Sequence, residues 1–347
     1  MIKEAIFKLV DKKNLSFEEA KEVFEEIFAH KVTPVQIASF LTALKVKGEA
    51  EAEIFAAAAV IREKANKINI RDSFVGIEDK DEMVVDTCGT GGSGLNKFNI
   101  STAVSFVVAA SGIKVAKHGN RAMSSSCGSA DVLEALDIDI GVSPEIMEES
   151  IRRVGIGFLY APLYHPALAE VAMVRKDMGI RTIFNILGPL CNPASVSHQL
   201  LGVYSRELTS VMAKVLKSLG VKKAFVVNSK DLGDEISLNG PTYVSFLNNK
   251  KISNFTLRPS NFGLKRTKMK NLLVKDVKQS AKVIKGVLDK KEKDARNIVL
   301  ANASACFYIL GKAKNLKQGV KLAKTLIDEG KVKDVYLKFK AFLEENA

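Results

Sequence analysis

The residues from Asp86 to Asp131 are the ones best suited to handle an anion. They run Asp86-Thr87-Cys88-Gly89-Thr90-Gly91-Gly92-Ser93-Gly94, then Asn99-Ile100-Ser101-Thr102, then Lys117-His118-Gly119-Asn120-Arg121, then Ser124-Ser125-Ser126 and Gly128-Ser129-Ala130-Asp131. Glycine lets a backbone approach phosphate closely, and the first N–H groups of a helix carry partial positive charge. Lys117 adds a point charge and Asn120 an amide, both directly after an apolar run. His118 has no carboxylate neighbour to tune it, which favours a positioning role over base catalysis. Several such turns in one chain suit a ligand with more than one phosphate group. The loop is not a Walker loop, because Leu95 and Asn96 follow Gly94. Gly89, Gly91 and Gly94 match only the bare spacing of a dinucleotide fingerprint, and a tight turn is the plain alternative for them.

Asp234-Glu235 is a second constellation. Magnesium prefers oxygen ligands and binds through one or two carboxylates plus substrate phosphates, so this pair is a natural anchor for it. Ser101 offers a further hydroxyl ligand, while an exposed loop pair is the ordinary alternative. Arg175 can make a two-pronged contact with a carboxylate, or an ordinary surface ion pair. The four cysteines, at 88, 127, 191 and 306, form no Cys-x-x-Cys pair, which argues against a zinc site or a thioredoxin-like motif. Cys88 and Cys127 sit among small residues, where packing or a nucleophilic thiol are both open.

These residues need elements to hold them. The first seventy residues read as helix: Ser16-Phe17-Glu18-Glu19 and Thr33-Pro34-Val35-Gln36 are capping boxes, Gly48 ends the second helix, and a third runs about Ala50 to Asn66. From Met83 strands and helices alternate. Strands are expected at Met83–Asp86, Ile113–Lys117, Gly157–Ala161, His198–Val203 and Ala224–Asn228, with helices at Ile100–Ser111, Pro144–Val154 and Glu207–Leu219. Such alternation implies a mainly parallel sheet. A hairpin is expected over Pro241–Phe246 and Ile252–Leu257, and helices again from Asp276. Gly188-Pro189 and Asn192-Pro193 break a helical stretch that begins near His165 and suit a chain moving between layers. The fold class is therefore α/β: a small N-terminal helical domain (1–72) and a larger α/β domain (73–347) with a mainly parallel central sheet.

At 347 residues and 47% hydrophobic content, the chain can bury a sizeable core. Its formal charge of +13 comes from lysines scattered among acids along helices, the pattern of a solvated face rather than a nucleic-acid patch. The longest apolar run, Ile54 to Ile61, is too short for a bilayer, and Lys3, Glu4 and Lys8 interrupt any leader. A cytoplasmic protein with no membrane or nucleic-acid partner is expected.

Taken in order, these motifs resemble the anthranilate phosphoribosyltransferases. The resemblance also takes in His165-Pro166, Arg181-Thr182-Ile183-Phe184-Asn185 and Leu187-Gly188-Pro189, and extends from the first helices to the last. It implies that returning helices around 165–190 join the helical domain, a homodimer formed through that domain, and a magnesium-dependent reaction of anthranilate with phosphoribosyl pyrophosphate (PRPP). By the same resemblance, Gly89, Thr90, Gly91, Gly92, Ser93, Asn99, Ser101, Thr102, Lys117 and Ser129 would bind PRPP. Gly89, Asn120, His118, His165, Arg175 and Gly188 would face anthranilate. Ser101, Asp234 and Glu235 would hold the metal, and no residue would act as acid, base or nucleophile.

The chain departs from the family pattern at Ser93, where Asp is usual, at Asp137, where Gly is usual, and over Asn228–Gly233. Ser93 removes a charge near the metal. A pyrimidine nucleoside phosphorylase and a catalytically silent nucleic-acid binder are the competing readings. The Lys117–Arg121 motif with Arg175 disfavours the first, and an intact Asp234-Glu235 the second.

Overall fold

The computed structural model describes residues 1–70, 73–74, 77–78, 82–122 and 127–347. Four helices open the chain: α1 (Ile2–Val10), α2 (Phe17–Phe28), α3 (Pro34–Lys47) and α4 (Glu51–Glu63). Both expected capping boxes form. Ser16 Oγ accepts from the Glu19 amide at 3.2 Å while the Glu19 carboxylate accepts from the Ser16 amide at 2.8 Å. Thr33 and Gln36 do the same at the start of α3. Gly48 ends α3 with φ of 91°. The helix expected to reach Asn66 stops at Glu63.

After the short antiparallel pair β1 (Ser73–Phe74) and β2 (Ile77–Glu78), the chain alternates: β3 (Val84–Gly89), α5 (Ile100–Ala109), β4 (Lys114–Gly119), α6 (Ser129–Ala135), α7 (Pro144–Arg153) and β5 (Ile156–Tyr160). Three short helices follow, α8 (Ala161–Tyr164), α9 (Ala169–Met178) and α10 (Phe184–Leu187). Then come β6 (His198–Gly202), α11 (Glu207–Ser218), β7 (Lys223–Ser229), β8 (Thr242–Asn248) and β9 (Lys251–Leu257). The helices α12 (Pro259–Phe262), α13 (Val277–Leu288), α14 (Lys293–Ile309), α15 (Leu316–Asp328) and α16 (Lys331–Asn346) complete the chain. The seven-stranded sheet has the order β5-β4-β3-β6-β7-β8-β9. Strands β3 to β7 pair in parallel, and β8 and β9 add an antiparallel edge.

Two strands run further than their apolar cores suggest. Pairing of β3 with β6 continues to Gly89 opposite Gly202, and pairing of β4 with β5 continues to Gly119 opposite Tyr160. Gly89 and His118 therefore sit with Lys117 on ordered strand rather than on free loop. Open parallel sheets bind ligands at this carboxyl edge.

Strand side chains alternate between faces. On β6 and β7, Leu200, Phe225 and Val227 join a core built with α5, α14 and the C-terminal helices. Leu201, Ala224 and Val226 join a second core with α11 and the N-terminal helices. That second core also takes Val171, Val174, Phe184 and Leu187 from α9 and α10. The chain thus returns to its own first helices before re-entering the sheet. Each large apolar side chain buried in this way contributes about 1.5–3 kcal/mol. Among the described residues no helix is long and apolar enough to cross a membrane.

Candidate active site

A cleft of about 320 Å³ opens at the carboxyl edge of β3, β4 and β6, walled on its far side by α9 and α10. Its floor depends on glycine. A Cβ on Gly202 would lie 1.7 Å from the Asp234 carbonyl oxygen, and one on Gly89 would lie 2.7 Å from Asp234 Oδ2. The Asp234 loop can sit over β3 and β6 only because both strands end without side chains.

Beyond Gly89 the chain turns through Gly91, Gly92 and Gly94, whose φ values of 64°, 75° and 70° favour glycine. Distant residues hold this loop. The Gly91 amide donates to Asp234 Oδ2 at 3.1 Å, and Arg181 donates to the Gly92 carbonyl at 2.9 Å while lying over the Tyr204 ring. A Cβ on Gly233 would come within 2.6 Å of Ser93 Cβ, so Ser93 packs beside the metal-loop candidate.

Asn99 caps α5: its Oδ1 accepts from the Thr102 amide at 3.2 Å and from the Thr102 hydroxyl at 2.6 Å. Asn99, Ile100 and Ser101, at the start of α5, line the cleft. Lys117 is almost wholly buried beneath it and donates to the Thr87 carbonyl and, at 3.1 Å, to Ser101 Oγ. Burial lowers its pKa.

Asp234 and Glu235 are both buried at the cleft wall. Lys97 donates to Asp234 Oδ1 at 2.5 Å and to the Leu232 carbonyl at 2.9 Å. The pKa of Glu235 rises to about 7, chiefly through burial, with Lys97 opposing and Asp234 reinforcing the shift. Lys97 and Lys117 offset that burial only in part, and the donor set of two carboxylates and the Ser101 hydroxyl is all oxygen. That set fits a hard divalent ion whose remaining ligands come from substrate and water. Among the described residues no cluster of three acidic, His or Cys side chains could hold a metal alone.

Two histidines also line the cleft. His118 and His165 pack edge to face with centroids 5.1 Å apart. Burial pushes their pKa values down to about 3 and about 4, so both are neutral at pH 7. His118 Nδ1 lies 3.0 Å from the Gly188 carbonyl, which can only accept. Nδ1 therefore carries the proton, and the buried, unpartnered Nε2 is an acceptor. Arg175 lies 5.2 Å over the Phe184 ring, half-buried, and no carboxylate among the described residues pairs with it. Arg121, by contrast, is committed to both oxygens of Glu134 and to the Tyr160 hydroxyl.

Gly89, Thr90, Gly91, Gly92, Ser93, Asn99, Ser101, Lys117, His118, Asn120, Ser129, His165, Arg175, Gly188, Asp234 and Glu235 all line this one cleft. Thr102 does not: its hydroxyl is fully buried against Asn99, so it supports the helix start from behind. Ser124-Ser125-Ser126 lies outside the described residues, as does Asp72 at the expected domain boundary. Two participants escape a reading of the sequence. Lys97 is visible there only as the lone charge between Asp86 and Lys114, and Arg181 only as part of a motif.

Family models match the whole architecture: a glycosyl transferase family helical bundle domain over residues 3–65 and a glycosyl transferase family a/b domain over residues 81–333. The chain is 47% identical over 335 residues to the anthranilate phosphoribosyltransferase of Geobacter sp. (strain M21), covering 95% of each. It is 43% identical to that of Desulfosudis oleivorans over the full length of both. Among solved structures it resembles anthranilate phosphoribosyltransferase from Thermus thermophilus, with TM-score 0.89 and 38% identity over 98% of this chain and 99% of that one. The Saccharomyces cerevisiae enzyme in complex with PRPP and Mg superposes with TM-score 0.86 at 26% identity, over 99% and 98% of the two chains. The glycine cradle, the carboxylate pair and this full-length similarity agree: the chain belongs to the anthranilate phosphoribosyltransferase family.

Proposed function

We propose that this protein transfers the phosphoribosyl group of PRPP to the amine of anthranilate, releasing pyrophosphate, as a step of tryptophan biosynthesis. One observation carries the reading: a single cleft brings together the glycine turn, the start of α5, the Asp234-Glu235 pair, two neutral imidazoles and Arg175, which no carboxylate among the described residues pairs with.

The amine of anthranilate is neutral at pH 7 and attacks without prior deprotonation; the proton it sheds once bonded to C1 passes to the departing pyrophosphate or to water. The difficult event is rupture of the bond from ribose C1 to pyrophosphate. Backbone N–H groups of Gly91 and Gly92 and the start of α5 would receive the growing negative charge, as preorganised dipoles do in other transferases. Lys117 braces that helix start through Ser101. Asn99, Thr90, Ser93 and Ser129 would hold the remaining phosphate and ribose oxygens, with Thr102 fixing Asn99. Arg175 would fork onto the anthranilate carboxylate. His118, its ring fixed by Nδ1 against the Gly188 carbonyl, would shape the slot with His165, Asn120, Gly89 and Gly188. Magnesium, held by Asp234, Glu235 and Ser101, would stabilise the departing pyrophosphate. Catalysis by this set is positioning and leaving-group stabilisation.

The helical part (1–72 with 165–190) and the α/β part (73–347) would act as two bodies closing over this cleft. A homodimer through the helical part is supported by Phe7, Val10, Val35, Val46 and Met173, large apolar side chains left exposed on α1, α3 and α9, which pack together. A cytoplasmic location, where both substrates are made, completes the proposal.

The test is the loss of anthranilate fluorescence on mixing with PRPP, with and without magnesium. Turnover that needs both PRPP and magnesium supports the reading, and no turnover overturns it. Replacing Asp234 and Glu235 together with Ala should nearly abolish turnover while the fold survives. Near wild-type activity in that variant would sink the metal assignment.

A further inference from the structure

Both oxygens of Asp234 are engaged before any ligand arrives. Oδ2 accepts from the Gly91 amide and Oδ1 from Lys97. The Lys97 side chain is 12% exposed and that of Asp234 9% exposed, so solvent screens this pair poorly. The backbone around Lys97 is fixed to the chain before α13. The Phe98 amide donates to the Leu272 carbonyl at 3.0 Å, and the Val274 amide to the Asn96 carbonyl at 2.7 Å. Lys97 can release Asp234 only by rotating its side chain, and because it lines the cleft its ammonium would stay there.

Charge balance decides when that exchange is favourable. Lys97 and Asp234 together are neutral. A divalent cation entering alone would free the ammonium and set three positive charges against Asp234 and Glu235, at most two negative ones, with Lys117 adding a further cation nearby, an unfavourable net charge in a confined site. Position 93, packed against the residue before Asp234, is a serine and supplies no further negative charge. A pyrophosphate group supplies the missing charge and gives the displaced ammonium a partner. We propose that Lys97 is a tethered cation that holds the Asp234 site in the free enzyme and yields it to a divalent ion only when a pyrophosphate-bearing substrate enters. This rests on the reading of Asp234-Glu235 as metal-binding carboxylates.

Manganese(II) is the probe, with its free ion followed by electron paramagnetic resonance. Wild type, Lys97→Met, Lys97→Gln and Asp234→Asn are titrated with manganese alone and with manganese plus PRPP, in the absence of anthranilate. Circular dichroism establishes that each variant is folded, and the two Lys97 variants guard against misfolding of either. Removing a charge-assisted contact to a carboxylate should let the Lys97 variants bind manganese alone about tenfold or more tightly than wild type. The gain should vanish when Asp234→Asn is added. If wild type and the Lys97 variants bind manganese alone equally, the tethered-cation role is wrong. The metal reading then still stands if Asp234→Asn weakens manganese binding in the presence of PRPP. If Asp234→Asn changes nothing in either arm, both are overturned.

Discussion

Asn192 donates its side-chain amide to Asp86 Oδ2 at 2.9 Å, and both residues are completely buried. The same amide reaches the Ala116 carbonyl at 2.8 Å, while Asp86 Oδ1 accepts from the His118 amide at 3.2 Å. One side chain thus ties the segment leaving the helical return to β3 and β4, the two strands that deliver the glycine loop and Lys117. Burial raises the pKa of Asp86 and the nearby Lys117 opposes this, so the carboxylate depends on its partners.

Replacing Asp86 with Asn should therefore turn one acceptor into a donor facing a donor. A hydrogen bond to a charged group contributes about 1.5–3 kcal/mol, and urea unfolding should show a loss of that order. An unchanged midpoint and slope would mean that Asn192 re-pairs elsewhere.

Arg175→Ala removes the only guanidinium assigned to the anthranilate carboxylate. The loss of about 1.5–3 kcal/mol corresponds to roughly ten- to a hundredfold in kcat/KM for anthranilate. The KM for PRPP should move much less, since the cradle is built from the loop after β3 and the start of α5, not from α9. Steady-state kinetics varying each substrate separate these outcomes, and equal damage to both would indicate lost packing on Phe184.

Ser93→Asp places a carboxylate beside Gly233 and hence next to Asp234. Such a charge attracts a divalent ion and repels pyrophosphate at similar range, so the magnesium dependence of the rate should change. Initial rates titrated against magnesium will show a lower half-saturating concentration or new inhibition at high magnesium. Superimposable curves for the two proteins would place position 93 outside the metal's reach.

Acid should destabilise the protein through its buried imidazoles. Burial lowers the pKa of His118 to about 3, and of His165 and His198 to about 4. Unfolded imidazoles take up protons below about pH 6.5. The unfolded chain then binds more protons than the folded one, and stability falls as pH drops from about 6.5 towards 4. Glu235 has the opposite sign. Its stabilising effect is full below about pH 4.3 and is lost as pH climbs towards about 7. Buried Asp86, whose pKa is also raised, acts in the same direction as Glu235, yet three imidazoles outweigh two carboxyls, so calorimetry should show a lower thermal midpoint at pH 5 than at pH 6.5, with a shallower slope in His118→Gln. A midpoint that rises on acidification would contradict the burial of these rings.

The sheet, its helices, the glycine turn and the Asp234-Glu235 pair are legible in the sequence because each is written locally, whereas His165, Gly188 and the role of Arg175 come only through the resemblance to the family. Capping boxes, apolar runs and glycine turns need only neighbouring residues to take effect. Gly89 and His118 fall beyond the strands expected from sequence because pairing past an apolar run is set by the partner strand. Lys97 stays hidden for a related reason. Its meaning comes from Asp234, 137 residues later, and no local pattern encodes a contact of that span. Thr102 fits the hydroxyl pattern of a phosphate site, yet the helix turns it inward, a matter of angular position that spacing alone does not decide.

The glycine loop itself is held by residues made much later. Gly92 is held by Arg181, 89 positions on, and Gly91 by Asp234, 143 positions on. Closing contacts of such separation are slow, because the intervening chain must first be organised. During synthesis the loop leaves the ribosome well before either clamp exists. The cradle therefore matures late: its β3 strand can pair with β4 early, but the anion-binding geometry waits until residue 234 has emerged and docked. A ribosome stalled before that point would carry a chain with much of its sheet and no working site, so that competence to bind substrate reports completion of the sheet's central strands.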